Sequence, residues 1–260
     1  MDWVDLLSSC AVLSTVLMYL CGLQICARVR QRGHTEGTSA APILITFVSC
    51  AFWFQYGVLI DDNAVSWFAR ACSCGEMLQV IWNNVIGLAM YLFYLLYFYY
   101  MTRNKVRSST ADSEVSGFQR RLNRIIAAEL LAILIAVYSA QQKEWHEEVH
   151  MYLGIACAVL NVITYGAPLA ALRQVIATKV SHPACTSKSK IQSSECLPFP
   201  LCVASLLVSA QWLLYGVLIH DVVIQFPNFL AVVISTLQLS LFYIYPSQLP
   251  HSPLPTQHSL

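Results

Sequence analysis

Two ten-residue stretches of nearly the same sequence hold the residues best suited to binding a small molecule. They read WFQYGVLIDD at 53–62 and WLLYGVLIHD at 212–221. Each begins with a tryptophan, and an asparagine follows 31 positions after Trp53 and 16 positions after Trp212. A Trp ring offers a flat apolar face and one N–H donor, while an Asn amide both donates and accepts hydrogen bonds. No nucleophile–base–acid set or metal motif can be assembled within the surrounding apolar segments, so the sequence predicts binding and not an enzyme.

The chain that carries these stretches is too apolar for a water-exposed surface. Of its 260 residues 57% are hydrophobic and only 11% are charged, whereas about 25% of the residues of a soluble domain are charged. Six charge-free runs each reach the ~20 residues that a transmembrane helix needs. These runs are 6–27, 37–60, 77–102, 149–172, 196–219 and 222–245. A weaker seventh candidate lies between Arg124 and Lys143 and is interrupted only by Glu129.

Positive charges indicate how the seven predicted spans are oriented. With the N-terminus outside, the cytosolic segments hold every one of the 15 Lys and Arg residues except Arg70 and Lys143. Cytosolic loops of membrane proteins carry such an excess, so we expect the C-terminus in the cytosol. Asp2 and Asp5 precede the first run, which favours a retained helix over a signal peptide. The net charge of +1 offers no support for nucleic-acid binding, and we predict no cofactor and no metal site.

The spans fall into two similar groups of three. Because one additional span separates the groups, both have the same orientation in the membrane, as in transporters built from parallel repeats. The predicted fold class is an all-α polytopic membrane protein with seven transmembrane helices, arranged as two parallel three-helix bundles joined by a linker helix. The predicted segments are a first repeat at 1–101, a cytosolic loop with the linker helix at 102–148, a second repeat at 149–245 and a disordered cytosolic tail at 246–260.

Motifs concentrated in the second repeat resemble those of one transporter family. They are the Pro-Leu of NVITYGAPLAALRQVIATK (161–179), SSECLPFPL (193–201), QWLLYGVLIHD (211–221) and the Pro-Asn of FPNFLAV (226–232). In this combination the chain resembles the SWEET sugar transporters of the animal type, also called the MtN3/saliva family. The resemblance extends from Gly22 to Pro246.

The resemblance implies that the family's substrate-binding positions fall on Trp53, Asn84, Trp212 and Asn228. A sugar presents C–H faces that an aromatic ring covers and hydroxyl groups that an amide bonds. Two alternatives stay open: each Trp anchors its helix at the membrane interface, and each Asn forms a hydrogen bond between helices. If the third span is shifted along its axis, Asn83 takes the inward position in place of Asn84.

The resemblance also implies hinges at Gly22, Pro42, Pro168 and Pro198. The family commonly has proline at all four positions, so Gly22 is a departure, although Gly also loosens a helix. Each proline is expected to remove a helix hydrogen bond. Two segments are extra: 64–78 in comparison with the second half of this chain, and 180–193 in comparison with the family that the chain resembles.

The implied activity is uncoupled, bidirectional facilitated diffusion of monosaccharides such as glucose, or of disaccharides, by alternating access. No charged residue lies in mid-span in either repeat, and coupled transporters usually keep a carboxylate or His there. Glu129 is expected to reach the interface from the linker helix. Relatives form homo-oligomers, so we expect the same here, in the plasma membrane or alternatively in the Golgi or another endomembrane.

Two other functions remain as alternatives. One is a PQ-loop-type carrier of another small metabolite, although Gly22-Leu23 and Pro168-Leu169 stand where that group has Pro-Gln. The other is a seven-helix receptor, although the chain has MTRNKV and PNFLAV and lacks DRY-like and NPxxY-like motifs at those places.

Other polar and aromatic residues are expected to have structural roles. Tyr56 and Tyr215 are expected to pack or to lie at the interface, and Asp61 and Asp221 to be solvated at the outer helix ends. The aromatic run YLFYLLYFYY at 91–100 is expected to face lipid and the inner interface.

Overall fold

The computed structural model describes residues 3–35, 38–60, 78–108, 113–140, 148–164 and 199–244. The regular elements in these ranges are α-helices. They are α1 (Trp3–Tyr19), α2 (Gly22–Arg32), α3 (Ala41–Ile60), α4 (Leu78–Ser108), α5 (Ser113–Ala140), α6 (Glu148–Thr164), α7 (Phe199–Leu218) and α8 (Val222–Ile244).

Length and composition allow most of these helices to cross a membrane. In the described part of the chain, 6 segments are long and apolar enough: α1 together with α2, and then α3, α4, α5, α7 and α8 individually. The apolar helix α6 is described as far as Thr164 and lies in the predicted fifth span.

Each half of the chain forms a three-helix bundle in which the third span lies between the other two. In the first bundle α4 packs against α1 and α2 on one side and against α3 on the other. In the second bundle α8 packs against α7, and its Val223 lies against Gly154 of α6. The linker helix α5 packs on α3 and α4, so it lies against the first bundle.

The two bundles meet by a reciprocal exchange of contacts. The first span of each bundle packs against the second span of the other: α1 contacts α7, and α3 contacts α6 where Tyr56 stacks on His150 with ring centroids 5.1 Å apart. Two parallel repeats related by a two-fold axis produce this pattern. The predicted arrangement of two parallel three-helix bundles and a linker helix is confirmed.

The first span is broken between α1 and α2. From Cys21 to Gln24 several backbone N–H groups donate to the carbonyl three residues back, as in a tighter turn, and not four. The Cys21 N–H donates to Met18 O at 3.0 Å, and the Leu23 N–H donates to Leu20 O at 3.0 Å. The regular ladder is thereby interrupted, so α1 and α2 are two helical segments within one span.

Tyr94 of α4 completes this break from the neighbouring helix. Because the Leu23 N–H turns to Leu20, the Tyr19 carbonyl loses its usual helical donor, and the Tyr94 hydroxyl donates to it at 3.3 Å. A Cβ atom on Gly22 would overlap the Tyr94 ring. The structure therefore explains why a residue without a side chain stands at this predicted hinge position.

We expect Gly22→Ala to lower the free energy of unfolding by about 1–3 kcal/mol, because an added methyl overpacks a filled contact. Thermal unfolding of the detergent-solubilised protein measures this. Gly117→Ala on α5 is the matched control, since no neighbouring atom lies within 4 Å of a methyl added there. Equal unfolding temperatures for the two variants would show that the Tyr94 ring tolerates a side chain at position 22.

The other predicted hinges are placed less directly. Pro42 is exposed and is the second residue of α3. An N–H in the first turn has no intrahelical acceptor, so a proline there removes no helix hydrogen bond. The expectation that Pro42 deletes such a bond is wrong, and its role as a hinge stays a prediction. Pro168 and Pro198 lie outside the described residues, as does the predicted tail at 246–260.

The aromatic run at 91–100 faces two different environments. Tyr94 and Phe98 are each 1% exposed and belong to a core cluster with Val29 and Ile43, whereas other members of the run are exposed. The expectation that the run faces lipid and the interface is therefore wrong for its buried side. The physical reason is that α4 passes between α2 and α3 and must pack against both.

Candidate functional site

A cavity of about 120 Å³ lies between the two bundles. Its wall takes residues from α1, α3 and α4 of the first bundle and from α6, α7 and α8 of the second. Among the described residues that line it, none carries a charge or an imidazole ring; they are apolar, aromatic, hydroxyl, thiol or amide side chains. Such a wall suits a neutral polar molecule.

Both predicted tryptophans line this cavity. Trp53 and Trp212 are each 8% exposed, and each contacts the tyrosine one turn later in its own helix edge to face. The ring centroids are 5.6 Å apart for Trp53 and Tyr56 and 5.5 Å apart for Trp212 and Tyr215. Rings buried in this way do not lie at a membrane interface, so the anchor alternative is not supported.

The indole N–H of each tryptophan crosses to the first span of the other bundle. Trp212 Nε1 donates to Thr15 Oγ1 at 2.9 Å, and Trp53 Nε1 donates to Asn161 Oδ1 at 3.3 Å. Asn161 Oδ1 also accepts a hydrogen bond from Ser49 Oγ at 3.4 Å. These bonds tie the two bundles together at the level of the cavity.

Thr15 and Asn161 are cavity residues that sequence reasoning missed. Thr15 lies seven residues before Gly22, and Asn161 lies seven residues before Pro168. Because Gly22 and Pro168 are corresponding positions in the two repeats, Thr15 and Asn161 also correspond. The signal was therefore present: a polar residue at the same place in the first span of both repeats.

The predicted asparagines occupy equivalent places on α4 and α8. Asn84 Nδ2 donates to Val80 O at 2.8 Å, and Asn228 Nδ2 donates to Ile224 O at 2.7 Å, in each case four residues back. Both amides are buried and line the cavity. The unequal spacing from the tryptophans does not disturb this match, because the extra residues precede Leu78. The structure thus brings all four predicted residues to one cavity; that they bind substrate stays a prediction.

Asn83 lines the cavity as well, next to Asn84. Its Nδ2 donates to the Tyr19 hydroxyl at 3.4 Å, and the same hydroxyl accepts from Cys50 Sγ at 3.6 Å. A Cβ on Gly87 would lie 2.6 Å from the Cys50 sulfur, so the glycine leaves room for this group. Asn83 and Asn84 therefore both line the cavity. From the sequence alone they are alternatives for one inward position.

A tyrosine–carboxylate contact joins the two bundles at one end. The Tyr56 hydroxyl donates to the Asp221 carboxylate, at 3.2 Å from each oxygen. Asp221 Oδ1 also accepts from the Val223 N–H at 2.8 Å and the Ile224 N–H at 3.1 Å, which caps the start of α8. Asp221 is partly exposed and also accepts from these three donors, so the expectation that it is only solvated is incomplete. Asp61 lies outside the described residues.

Comparisons with known proteins agree with this architecture. The family model described as "Sugar efflux transporter for intercellular exchange" matches residues 5–106 and 151–249, one segment in each repeat. The chain is 36% identical over 242 residues to "Sugar transporter SWEET1" of Drosophila pseudoobscura pseudoobscura, covering 93% of this chain and 89% of that protein. It is 28% identical over 250 residues to "Sugar transporter SWEET1" of Homo sapiens, covering 94% and 92%.

A plant relative and a solved structure extend the comparison. The chain is 26% identical over 238 residues to "Bidirectional sugar transporter SWEET3" of Arabidopsis thaliana, covering 90% of this chain and 76% of that protein. The solved structure of a eukaryotic SWEET transporter superimposes with a TM-score of 0.69 and 20% identity, over 95% of this chain and all of that one, and shows the same fold. With the family model matching well over half of its length, the chain belongs to the SWEET (MtN3/saliva) family of sugar transporters, a family of transporters and not of enzymes.

Proposed function

We propose that the protein carries monosaccharides such as glucose, and more weakly disaccharides, by uncoupled, bidirectional facilitated diffusion through alternating access. One observation carries the proposal: the cavity between the bundles is lined by the Trp and Asn of both repeats. The names of the relatives, "Sugar transporter SWEET1" and "Bidirectional sugar transporter SWEET3", support it.

The chemistry of the cavity suits a sugar. Trp53 and Trp212 supply apolar planes for the C–H faces of the ring, and Asn84 and Asn228 supply amides for its hydroxyl groups. A charged substrate would need an opposite charge, and none lies among the described lining residues. Two bulky tryptophans narrow the space, which favours a monosaccharide.

The same lining supports transport without ion coupling. Transporters that move protons or ions with their substrate usually hold a carboxylate or His in the core. Glu129 is half-buried on α5, and this helix contributes no described residue to the cavity wall. Sugar is therefore expected to move down its own concentration gradient.

Contacts between the bundles support alternating access. At the end that holds the Tyr56–Asp221 contact, a buried cluster from both bundles includes Leu59, Leu153 and Tyr215. The start of α1 packs against this cluster, so with the N-terminus outside this end faces outward. We propose that the repeats at 1–101 and 149–245 rock about the cavity, with 102–148 as the linker.

The motion would bend the spans at the four hinge positions, which are Gly22, Pro42, Pro168 and Pro198. The described arrangement is then the one closed to the outside. We further propose a homo-oligomer in the plasma membrane, with the C-terminus in the cytosol.

Flux of labelled glucose and sucrose into proteoliposomes tests the function. We expect glucose uptake well above that of protein-free liposomes, and efflux from preloaded vesicles at a similar rate. Absence of flux for both sugars would overturn the proposal. A receptor would give no flux at all, and a PQ-loop-type carrier would move labelled amino acids in place of sugars.

An imposed pH gradient is expected to leave glucose uptake unchanged in these vesicles. The reason is that no titratable carboxylate or imidazole lies among the described cavity residues. The measurement compares the final internal glucose concentration with and without the gradient, using the ionophore-collapsed gradient as control. Accumulation above the external concentration would contradict uncoupled transport.

A further inference from the structure

Asn83 holds a buried acceptor that no group in the described structure satisfies. Its side chain is 6% exposed and lines the cavity. Nδ2 is bonded to the Tyr19 hydroxyl at 3.4 Å, while Oδ1 is buried and has no hydrogen-bond partner. A buried polar atom left unpaired is costly, and native structures contain few of them. A ligand in the cavity would supply the missing donor.

That one end of the amide lacks a partner does not depend on how the amide is oriented, although the amide as placed needs a donor and the reversed amide would need an acceptor. The oxygen and nitrogen of an Asn amide are assigned from their hydrogen bonds. If the amide were reversed, the Tyr19 hydroxyl would donate to Oδ1 and Nδ2 would lack a partner. In either orientation one end of the amide pairs with Tyr19, and the other end is buried without a partner on a residue that lines the cavity.

The second bundle has no equivalent of this amide. Asn83 precedes Asn84 on α4, and the residue that precedes Asn228 on α8 is Pro227. Pro227 is fully buried and has no side-chain donor or acceptor. The paired Trp and Asn residues are arranged nearly two-fold symmetrically, whereas Asn83, like the differing pair Thr15 and Asn161, makes the two halves of the cavity unequal.

This inequality has a consequence for any ligand without two-fold symmetry. A cavity with two equal halves would accept a sugar ring in two opposite orientations with similar affinity. Asn83 is one of four amides that line the cavity, with Asn84, Asn161 and Asn228, and its unpaired oxygen favours the orientation in which a hydroxyl group reaches it. The Tyr19 hydroxyl, which also accepts from Cys50, accepts from the Asn83 amide and so fixes the position of that amide.

We propose that Asn83 is a specificity-determining residue, whose carboxamide accepts a hydrogen bond from one hydroxyl group of the bound sugar. The proposal rests on the proposed function, because it requires a sugar in this cavity. It adds an interaction on one wall only, and so a fixed orientation of the substrate.

Competition by deoxy sugars tests the proposal. Uptake of labelled glucose is measured in proteoliposomes against each monodeoxyglucose, for the wild type and for Asn83→Leu, which is similar in size but cannot hydrogen bond. For the wild type, we expect one monodeoxyglucose to compete about 3- to 10-fold less well than glucose, as the loss of one neutral hydrogen bond predicts. For Asn83→Leu, that analogue and glucose should compete equally.

Asn123→Leu is the matched control. Asn123 is exposed on α5 and bonded to Gln119 at 3.0 Å, away from the cavity, so this variant should keep the wild-type preference. If Asn83→Leu does not reach the membrane, Asn83→Ala tests the same loss without added bulk. Binding to purified protein, followed by the shift in unfolding temperature with each sugar, gives a readout that does not need transport.

The outcomes separate the two proposals. If the wild type moves glucose but the Asn83 variants keep its preference among the deoxy sugars, the role of Asn83 is overturned and the function stands. If the Asn83 variants and the wild type discriminate equally against every monodeoxyglucose, the role of Asn83 is likewise overturned. If the wild type moves and binds no sugar, the proposed function fails and the role of Asn83 with it.

Discussion

Replacing Trp212 with Ala is expected to lower the rate of glucose flux at least tenfold. The substitution removes an apolar face of the cavity and also the indole N–H that donates to Thr15 of the other bundle. A tenfold loss corresponds to about 1.4 kcal/mol, which is a modest estimate for the loss of one aromatic platform. The measurement is the initial rate of uptake at low glucose, divided by the amount of protein in the vesicles.

Two further variants make this result interpretable. Trp212→Phe keeps an aromatic face but loses the bond to Thr15, so an intermediate rate is expected. Trp82→Ala is the matched control, because Trp82 is 44% exposed on α4 and does not line the cavity. If Trp212→Ala transported glucose as well as Trp82→Ala does, the assignment of Trp212 to the site would be wrong. Asn228→Ala is expected to behave as Trp212→Ala does.

Replacing Tyr56 with Phe is expected to loosen the end of the bundles at Asp221. The variant removes one hydroxyl and with it a hydrogen bond to a carboxylate, and such bonds contribute about 1.5–3 kcal/mol. Local opening of the C-terminal part of α3 should become about tenfold more frequent or more, since local stability governs exposure of backbone amides. Hydrogen–deuterium exchange of peptides from 51–60 measures it.

Variants at Asp221 separate the inter-bundle contact from the helix cap. Asp221→Asn keeps an oxygen for the Val223 and Ile224 N–H groups but weakens the bond to Tyr56, so only 51–60 should exchange faster. Asp221→Ala loses both, and the start of α8 should exchange faster as well. Tyr152→Phe serves as control, because Tyr152 is 64% exposed. Unchanged exchange at 51–60 in Tyr56→Phe would show that the contact does not hold the bundles together.

Because the sequence is duplicated, the main candidate substrate-binding residues could be predicted without a structure. Trp53 and Trp212 stand in two copies of one sequence, and Asn84 and Asn228 follow them in the same order. Residue types that recur in the same order in both halves predict equivalent positions. In the structure the residues of each pair line one cavity. Thr15 and Asn161 escaped because corresponding positions hold different polar residues, which a comparison of letters does not match.

The direction in which a membrane helix faces was the less predictable property. A soluble helix shows a polar and an apolar side, but lipid and protein interior are both apolar, so that periodic signal is weak here. The run at 91–100 therefore looked uniform, although Tyr94 and Phe98 are buried and Tyr100 is 60% exposed. The packing of α4 between its neighbouring helices determines which side of the run is buried and which is exposed.

Hydropathy, the distribution of positive charge and duplication are properties of the chain alone, and they were enough to predict a helical membrane protein of two parallel repeats. The packing of the helices was needed to show that Asn83 and Asn84 both line the cavity, that Tyr94 completes the break at Gly22, and that Tyr56 bonds Asp221 across the bundles. These are hydrogen bonds between helices far apart in the chain. Their geometry depends on how the helices rotate and pack against one another, which no local pattern of residues specifies.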